Sequence, residues 1–350
     1  MPSASVERWN NLYMNAQPQS VRVALVVIAR NEARCIARCL HSAKPWVDEL
    51  IVLDTGSTDQ TVKLALACGA RVEHFTWCDD FAKARNAALS HSNAEWNLIL
   101  DADEWLEGRP DCLSHGALAG DSFIGVAEVQ STFETAKGTS TAVSWIPRLL
   151  PRGVNYKGRV HEQPVTTLPR RRIALVIGHD GYGQALLAKK DGRNSALLQQ
   201  ELAESPNSAY LLYQLGKDCE VYERFEKACT YYREALTLAA PSATYYHGLI
   251  VRLMYCLGRS GHLEDALSLA SSQMAAWEHS PDFFFVMGNL LLDYAIQEPA
   301  RALNELLPMA EACWQKCIDI GESPDLDDSV QGRGSFLAAH NLAVLRDDLN

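Results

Sequence analysis

Through the first hundred positions the apolar residues fall in short runs, each ending on a polar or acidic residue. Val21 to Ala29 (Val-Arg-Val-Ala-Leu-Val-Val-Ile-Ala) is almost continuously apolar, as in a strand buried on both faces of a parallel sheet. Arg30-Asn31-Glu32 follows it. The spacing predicts a helix over 33–43, with Ile36, Ala37 and Leu40 on one side and Pro45 as its stop. Glu49 to Asp54 predicts a second strand, Thr55-Gly56-Ser57-Thr58-Asp59 a turn, and Ser57 or Thr58 the cap of the next helix. Arg71 to His74 predicts a short third strand. Asp80 opens a helix carrying Lys83, Arg85 and Asn86, and Trp96 to Leu100 is a fourth strand. This alternation predicts an α/β fold with a parallel sheet and right-handed crossovers. Further strands are predicted over 123–129, 143–146 and 173–177.

Near Lys189 the pattern changes to helical periods. Pro206 to Gly216 and Phe225 to Leu236 read as a helix pair. The pair recurs as Tyr246 to Gly258 with Leu263 to Leu267, and as Phe284 to Asp293 with Pro299 to Leu303. Ala228, Ala266 and Ala302 are 38 and 36 residues apart, near the 34-residue period of tetratricopeptide repeats (TPR). A final helix, Ser335 to Leu345, is expected to cap the array. The expected organisation is an arm over 1–20, an α/β domain over 21–188 and an all-α, TPR-like domain over 189–350.

Composition narrows the class. The 350 residues are 47% hydrophobic and 21% charged, as in soluble globular proteins. A net charge of −11 argues against nucleic acid as partner, which selects a basic footprint. Charge is uneven, however: Lys137 to Arg193 holds eleven Lys/Arg against three acids, which suits a phosphorylated small-molecule ligand. The ten cysteines form no Cys-x-x-Cys pair, so reduced thiols in a cytoplasmic protein are expected. No apolar run reaches the ~20 residues of a membrane span.

The acidic tip of the fourth strand carries the first chemistry. Asp101 and Asp103 close an apolar run, and ligands of open α/β sheets sit beyond strand ends. Alternate residues of an extended segment point the same way. The two carboxylates are therefore expected to face one ion or diphosphate, and hard oxygen ligands suit Mg2+ or Mn2+. The plain alternative is a polar loop that caps the next helix.

Four segments taken together resemble a known family. Val26 to Glu32, Val52 to Asp59, Asp80 to Asn86 and Leu100 to Glu104 look like the motifs of the family 2 glycosyltransferases of the GT-A fold, in order and spacing. The resemblance implies a nucleotide-sugar donor, foremost a UDP-sugar. It implies Ala29, Arg30, Asn31 and Glu32 at the nucleoside, with Asp54 on base or ribose and Ser57 beside it. It implies Asp101 and Ala102 near ribose and sugar, Asp103 on a divalent cation, and Arg85 near the donor or orienting Asp101; an ordinary helix salt bridge is the alternative for Arg85.

Trp145 to Glu162 and His179-Asp180-Gly181-Tyr182 resemble the acceptor half of a bacterial subgroup. That subgroup comprises peptide S-/O-glycosyltransferases and lipopolysaccharide core glucosyltransferases. Leu150 stands where Phe is more usual. The segment puts Trp145, Arg148 and Tyr182 on the acceptor side. An inverting transfer needs a base near the acceptor, and Glu162, the only acid between Lys137 and Ile177, is the candidate. Pairing of Glu162 to an arginine is its rival role. His179, with His161 as second choice, would complete the metal shell.

The expected activity is metal-dependent inverting transfer of a sugar to a Ser, Thr or Cys side chain of a peptide or protein recruited by the helical half. Transfer to a lipopolysaccharide core or other glycan is one alternative. A TPR scaffold with an inactive sugar-nucleotide domain is another. The helical half could also pair two copies as a homodimer.

Overall fold

The computed structural model describes residues 22–114, 116–135, 138–180, 192–326 and 328–349. The predicted arm over 1–20 and Tyr182 lie outside them. The first half is built on strands β1 (Val23–Ala29), β2 (Glu49–Asp54), β3 (Arg71–His74) and β4 (Trp96–Asp101), with helices α1 (Ile36–Ala43), α2 (Thr61–Ala67) and α3 (Phe81–Ser90) between them. β5 (Glu104–Glu107), the hairpin β6 (Ile124–Thr135) and β7 (Gly138–Pro151), the ribbon β8 (Asn155–Lys157) and β9 (Gln163–Val165), and β10 (Arg170–His179) follow. The sheet runs β3-β2-β1-β4-β7-β6-β10-β5. Its β3-β2-β1-β4 part is parallel, and β7 joins β4 antiparallel.

Both faces of β1 are buried, as its unbroken apolar run requires. Leu25 and Val27 pack with Ile36 and Leu40 of α1, whereas Ala24 and Val26 pack with Ala84 and Ala88 of α3. Each large side chain so buried contributes roughly 1.5–3 kcal/mol. Register then fixes the chemistry: Ala29 lies opposite Asp54, and Ile28 opposite Asp101. Two acidic strand ends are thereby brought to one edge. Asp80 caps α3, its Oδ1 accepting from the Lys83 amide at 2.9 Å, and α3 turns Arg85 inward, 4% exposed.

The second half is α4 (Arg193–Glu204), α5 (Ala209–Val221), α6 (Phe225–Leu238), α7 (Tyr246–Arg259), α8 (Leu263–Gln273), α9 (Pro281–Gln297), α10 (Leu307–Ile320) and α11 (Phe336–Leu349). Small residues let paired helices touch. A Cβ on Gly216 of α5 would lie 2.3 Å from the Tyr232 ring, and one on Gly288 of α9 2.6 Å from Trp314 Nε1. Ala228 and Ala266 are fully buried. The third pair departs from the predicted repeat. Pro299 opens only a short turn over Pro299–Arg301, and Ala302–Leu306 is a π-helical stretch. The fully buried alanine there is Ala310 of α10, with Ala302 only partly buried against the same core, and the π-helical stretch lies before the second helix starts.

One segment of the second half returns to the first. β11 (Ser329–Val330) pairs antiparallel with β7, opposite Val143 and Ala142. The strap around it, 324–326 and 328–333, lies across the first helix of each pair. The Asp328 carboxylate accepts from Tyr213 Oη at 2.6 Å, Lys217 Nζ at 3.0 Å, Arg252 Nε at 3.2 Å and Ser144 Oγ at 3.3 Å. Asp282 Oδ1 accepts from the Val330 amide at 3.0 Å and Arg333 at 2.8 Å. Burial would raise the Asp328 carboxyl, but Lys217 and Arg252 hold it well below the usual carboxylate range.

Candidate active site

The edge formed by the ends of β1, β2 and β3 opens on a cavity of about 550 Å³ lined by Arg30, Asp54, Thr55, Gly56, His74, Phe75, Thr76 and Trp77. Asp54 is 4% exposed. It accepts from the amides of Ser57, at 3.1 Å, and Gly56, at 3.2 Å, and its Oδ2 lies 3.4 Å from His74 Nδ1. Gly56 has φ +104°, a conformation that side chains disfavour. Asn31 locks the two loops: its amide donates to Ser57 Oγ at 2.9 Å, and its Oδ1 accepts from the Thr58 amide at 2.8 Å. It does so at φ +58°, a region that Asn tolerates better than most residues. The Glu32 amide donates to Thr61 Oγ1 at 2.7 Å. Ala29 closes β1, buried, and Arg30 is exposed at the mouth. His74 and Trp77 were not singled out by the sequence, because β3 is short and only the sheet register brings its end beside Asp54.

Asp101 and Asp103 take different side-chain partners. β4 ends at Asp101 and the chain turns through Ala102 and Asp103, so the strand alternation expected to align them is broken. Asp101 Oδ1 accepts from Arg85 Nη2 at 2.9 Å, and its Oδ2 from Arg148 Nη2 at 2.9 Å. Arg85 Nε reaches Glu162 Oε1 at 2.6 Å, and Arg148 pairs with the buried Glu104. Glu162, Arg85, Asp101, Arg148 and Glu104 thus form a ladder of alternating sign. Burial would raise the Asp101 carboxyl, but Arg148 and Arg85 outweigh it and hold it down. Three carboxylates face two guanidiniums, and burial pushes Glu104 up to about 7 against the pull of Arg148. The Arg85 guanidinium carbon lies 5.4 Å from the centre of the buried Tyr156 ring. Glu162 accepts from Arg85 through Oε1, and its Oε2 accepts no hydrogen bond from the described residues.

Asp103 turns the other way. Its Oδ2 lies 3.6 Å from His179 Nε2, across the β5–β10 pairing that sets Glu104 opposite His179. Ser131 Oγ is 3.0 Å from His179 Nδ1, which fixes the ring and leaves Nε2 directed at Asp103. Burial would lower the His179 pKa, but Asp103 raises it. Carboxylate oxygen with imidazole nitrogen is a donor pair suited to a divalent ion such as Mn2+. Among the described residues no cluster of three or more His, Cys, Asp and Glu completes such a shell.

The remaining predicted residues are dispersed. Arg148, expected on the acceptor side, is 6% exposed inside the ladder. Trp145 donates through Nε1 to the Pro324 carbonyl at 2.6 Å, beneath the strap. His161 is exposed, at φ +53°. Glu104 stood in the quoted acidic run without a role of its own, and Ser131 carried no sequence signal.

The family model described as glycosyl transferase family 2 matches residues 24–115. A TPR repeat-containing protein of Synechococcus elongatus is 32% identical over 312 residues, covering 80% of this chain and 75% of that one. The prophage-derived glycosyltransferase SunS of Bacillus subtilis is 27% identical over 220 residues, covering 60% of this chain and 52% of SunS. This chain therefore spans about half the length of SunS. A solved glucosyl-3-phosphoglycerate synthase of Mycobacterium tuberculosis, in complex with Mn2+, UDP and glucosyl-3-phosphoglycerate, is 28% identical. It covers 33% of this chain and 44% of that one, at a TM-score of 0.26, too slight a likeness to bear on the site. Among the described residues no helix is long and apolar enough to cross a membrane. Three of the four motifs close the parallel strands β1, β2 and β4, and the Asp80–Asn86 motif opens α3; the chain belongs to the family 2 glycosyltransferases, as an enzyme whose GT-A α/β domain is followed by a TPR-like helical region.

Proposed function

We propose that this glycosyltransferase moves a sugar with inversion from a UDP-sugar to an acceptor hydroxyl or thiol. The observation that carries the reading is the buried Arg85, which joins Asp101 to Glu162. Asp54 and the 29–32 loop would hold the nucleoside in the cavity beside them, with Ser57 securing the loop and Ala102 lining the sugar side. Asp103 and His179 would hold Mn2+ or Mg2+, which when bound supplies charge neutralisation for the departing diphosphate. Glu162 would take the acceptor proton as the acceptor oxygen or sulfur bonds to the anomeric carbon. The bond from that carbon to the diphosphate breaks on the opposite face. Arg85 would aim Glu162 while fixing Asp101.

The acceptor in this reading is a Ser, Thr or Cys side chain of a polypeptide met by the helical half. A second reading, transfer to a sugar of a glycan such as a lipopolysaccharide core, is favoured by the strap. Its residues 324–326 and 328–333 already cover the first-helix face that a peptide would use.

A thermal-shift panel of UDP and UDP-sugars, with and without Mn2+, tests the donor and the ion together, since a ligand of the folded state raises apparent stability. The expected result is a UDP-dependent rise that Mn2+ enlarges, and Asp103→Asn removes the Mn2+ increment while leaving the rest. An increment that survives in Asp103→Asn sinks the metal assignment.

A further inference from the structure

The turn that carries Glu162 is held from outside the α/β domain. It leaves β8 through Gly158, at φ +108°, and passes His161 at φ +53°, a strained conformation that persists in a non-glycine residue only where its surroundings enforce it. The helices of the second half supply those surroundings. The Arg159 amide donates to Glu201 Oε2 at 2.8 Å, and the Arg159 guanidinium pairs with Glu204 at 2.8 Å. Val160 packs among Leu197, Leu198, Leu211 and Leu215 of α4 and α5. Tyr210 of α5 spans the residues on either side of Glu162: its hydroxyl accepts from Gln163 Nε2 at 3.2 Å and donates to the His161 carbonyl at 3.4 Å.

From the α/β side the turn receives two polar contacts of a different kind. The Phe81 amide donates to the Arg159 carbonyl at 2.8 Å, and Arg85 reaches the Glu162 carboxylate itself. The β8–β9 pairing closes the turn by setting Gln163 opposite Lys157, the helices hold the backbone on either side of residue 162, and α3 aims its side chain.

We infer that Tyr210 is a positioning residue for the transfer, acting through Glu162, and that the helical half completes the active site as well as meeting the acceptor. The inference rests on the reading of Glu162 as base. Loss of the Tyr210 hydroxyl frees the strained turn to relax, and Glu162 then moves relative to the acceptor. The donor edge, built on β1 and β2, is left as it was.

A double-mutant cycle on the full chain tests this. Tyr210→Phe, Glu162→Gln and the double variant are compared in Mn2+-dependent hydrolysis of whichever of UDP-glucose, UDP-galactose and UDP-N-acetylglucosamine stabilises the protein most. Tyr210→Phe should lower kcat about tenfold, within what a small misplacement of a catalytic group costs, with the UDP-induced thermal shift unchanged. In the Glu162→Gln background the same change should have no further effect, since groups acting as a unit are non-additive. Hydrogen exchange in Tyr210→Phe should rise over 158–163 and stay constant over 24–32. An equal loss in both backgrounds, or a wild-type kcat in Tyr210→Phe, overturns the inference while leaving the base in place. A wild-type rate in Glu162→Gln overturns both, and so separates failure of the base from failure of its support.

Discussion

Asp54 and Asp101 sit at the ends of β2 and β4, the two parallel strands that flank β1, whereas Glu162 sits in the loop that the short β8–β9 ribbon closes. On the donor edge, backbone register does the placing. Ala29 opposite Asp54 and Ile28 opposite Asp101 leave those carboxylates little choice of position. On the acceptor edge, placement is spread over α3, α4 and α5, across 42 residues from Arg159 to Glu201 and 77 from Arg85 to Glu162. The contrast teaches that one half of this site is a property of the sheet and the other a property of its partners.

The largest effect that probes this contrast is at the base. Glu162→Gln should lower transfer or donor hydrolysis by about 10²–10⁴-fold, the usual contribution of general base catalysis, with UDP affinity by calorimetry unchanged. Weaker UDP binding in that variant would mean that the two edges are not separable.

Arg148→Met should come next, as a loss of stability. It strips Asp101 and the buried Glu104 of their shared cation, and breaking a buried pair costs about 3–5 kcal/mol. Urea denaturation reads this directly. A near-wild-type midpoint would show that the ladder is replaceable by apolar packing.

Asp328→Asn should cost about 2 kcal/mol, the scale of hydrogen bonds to a charged group, by weakening the strap against Tyr213, Lys217 and Arg252. Its pH dependence has a definite sign. The folded Asp328 is held below the ordinary carboxylate pKa of about 3.9, so its contribution is complete above that pH and is lost as pH falls below it. The gap between wild type and Asp328→Asn should therefore narrow in acid. A gap that stays constant from neutral pH into acid would show that the charge of Asp328 is not what holds the strap.

The proposed donor edge was legible because hydrophobic runs of the first half end on the residues assigned to it. Strand, turn and carboxylate are then contiguous in sequence, and β1, β2, β3 and β4 begin and end within about two residues of where their patterns put them. The helical pairs were legible for the same reason up to α9, after which the π turn at Ala302–Leu306 displaced the last repeat. The charge ladder was not legible. Its five members come from α3, β4, β5, β7 and the turn before β9, and no local pattern states which arginine meets which acid.

By itself, then, the sequence determined the order of strands and helices, the family motifs and the acidic tip, because each depends on neighbours within a few residues along the chain. Only the tertiary structure decided that Asp101 and Asp103 take different partners, that Arg148 is buried between carboxylates and Trp145 under the strap, and that Tyr210 meets the residues on either side of Glu162. Those outcomes depend on which distant side chains can satisfy a buried charge or a strained turn, and such partners are selected by packing in three dimensions rather than by spacing in one.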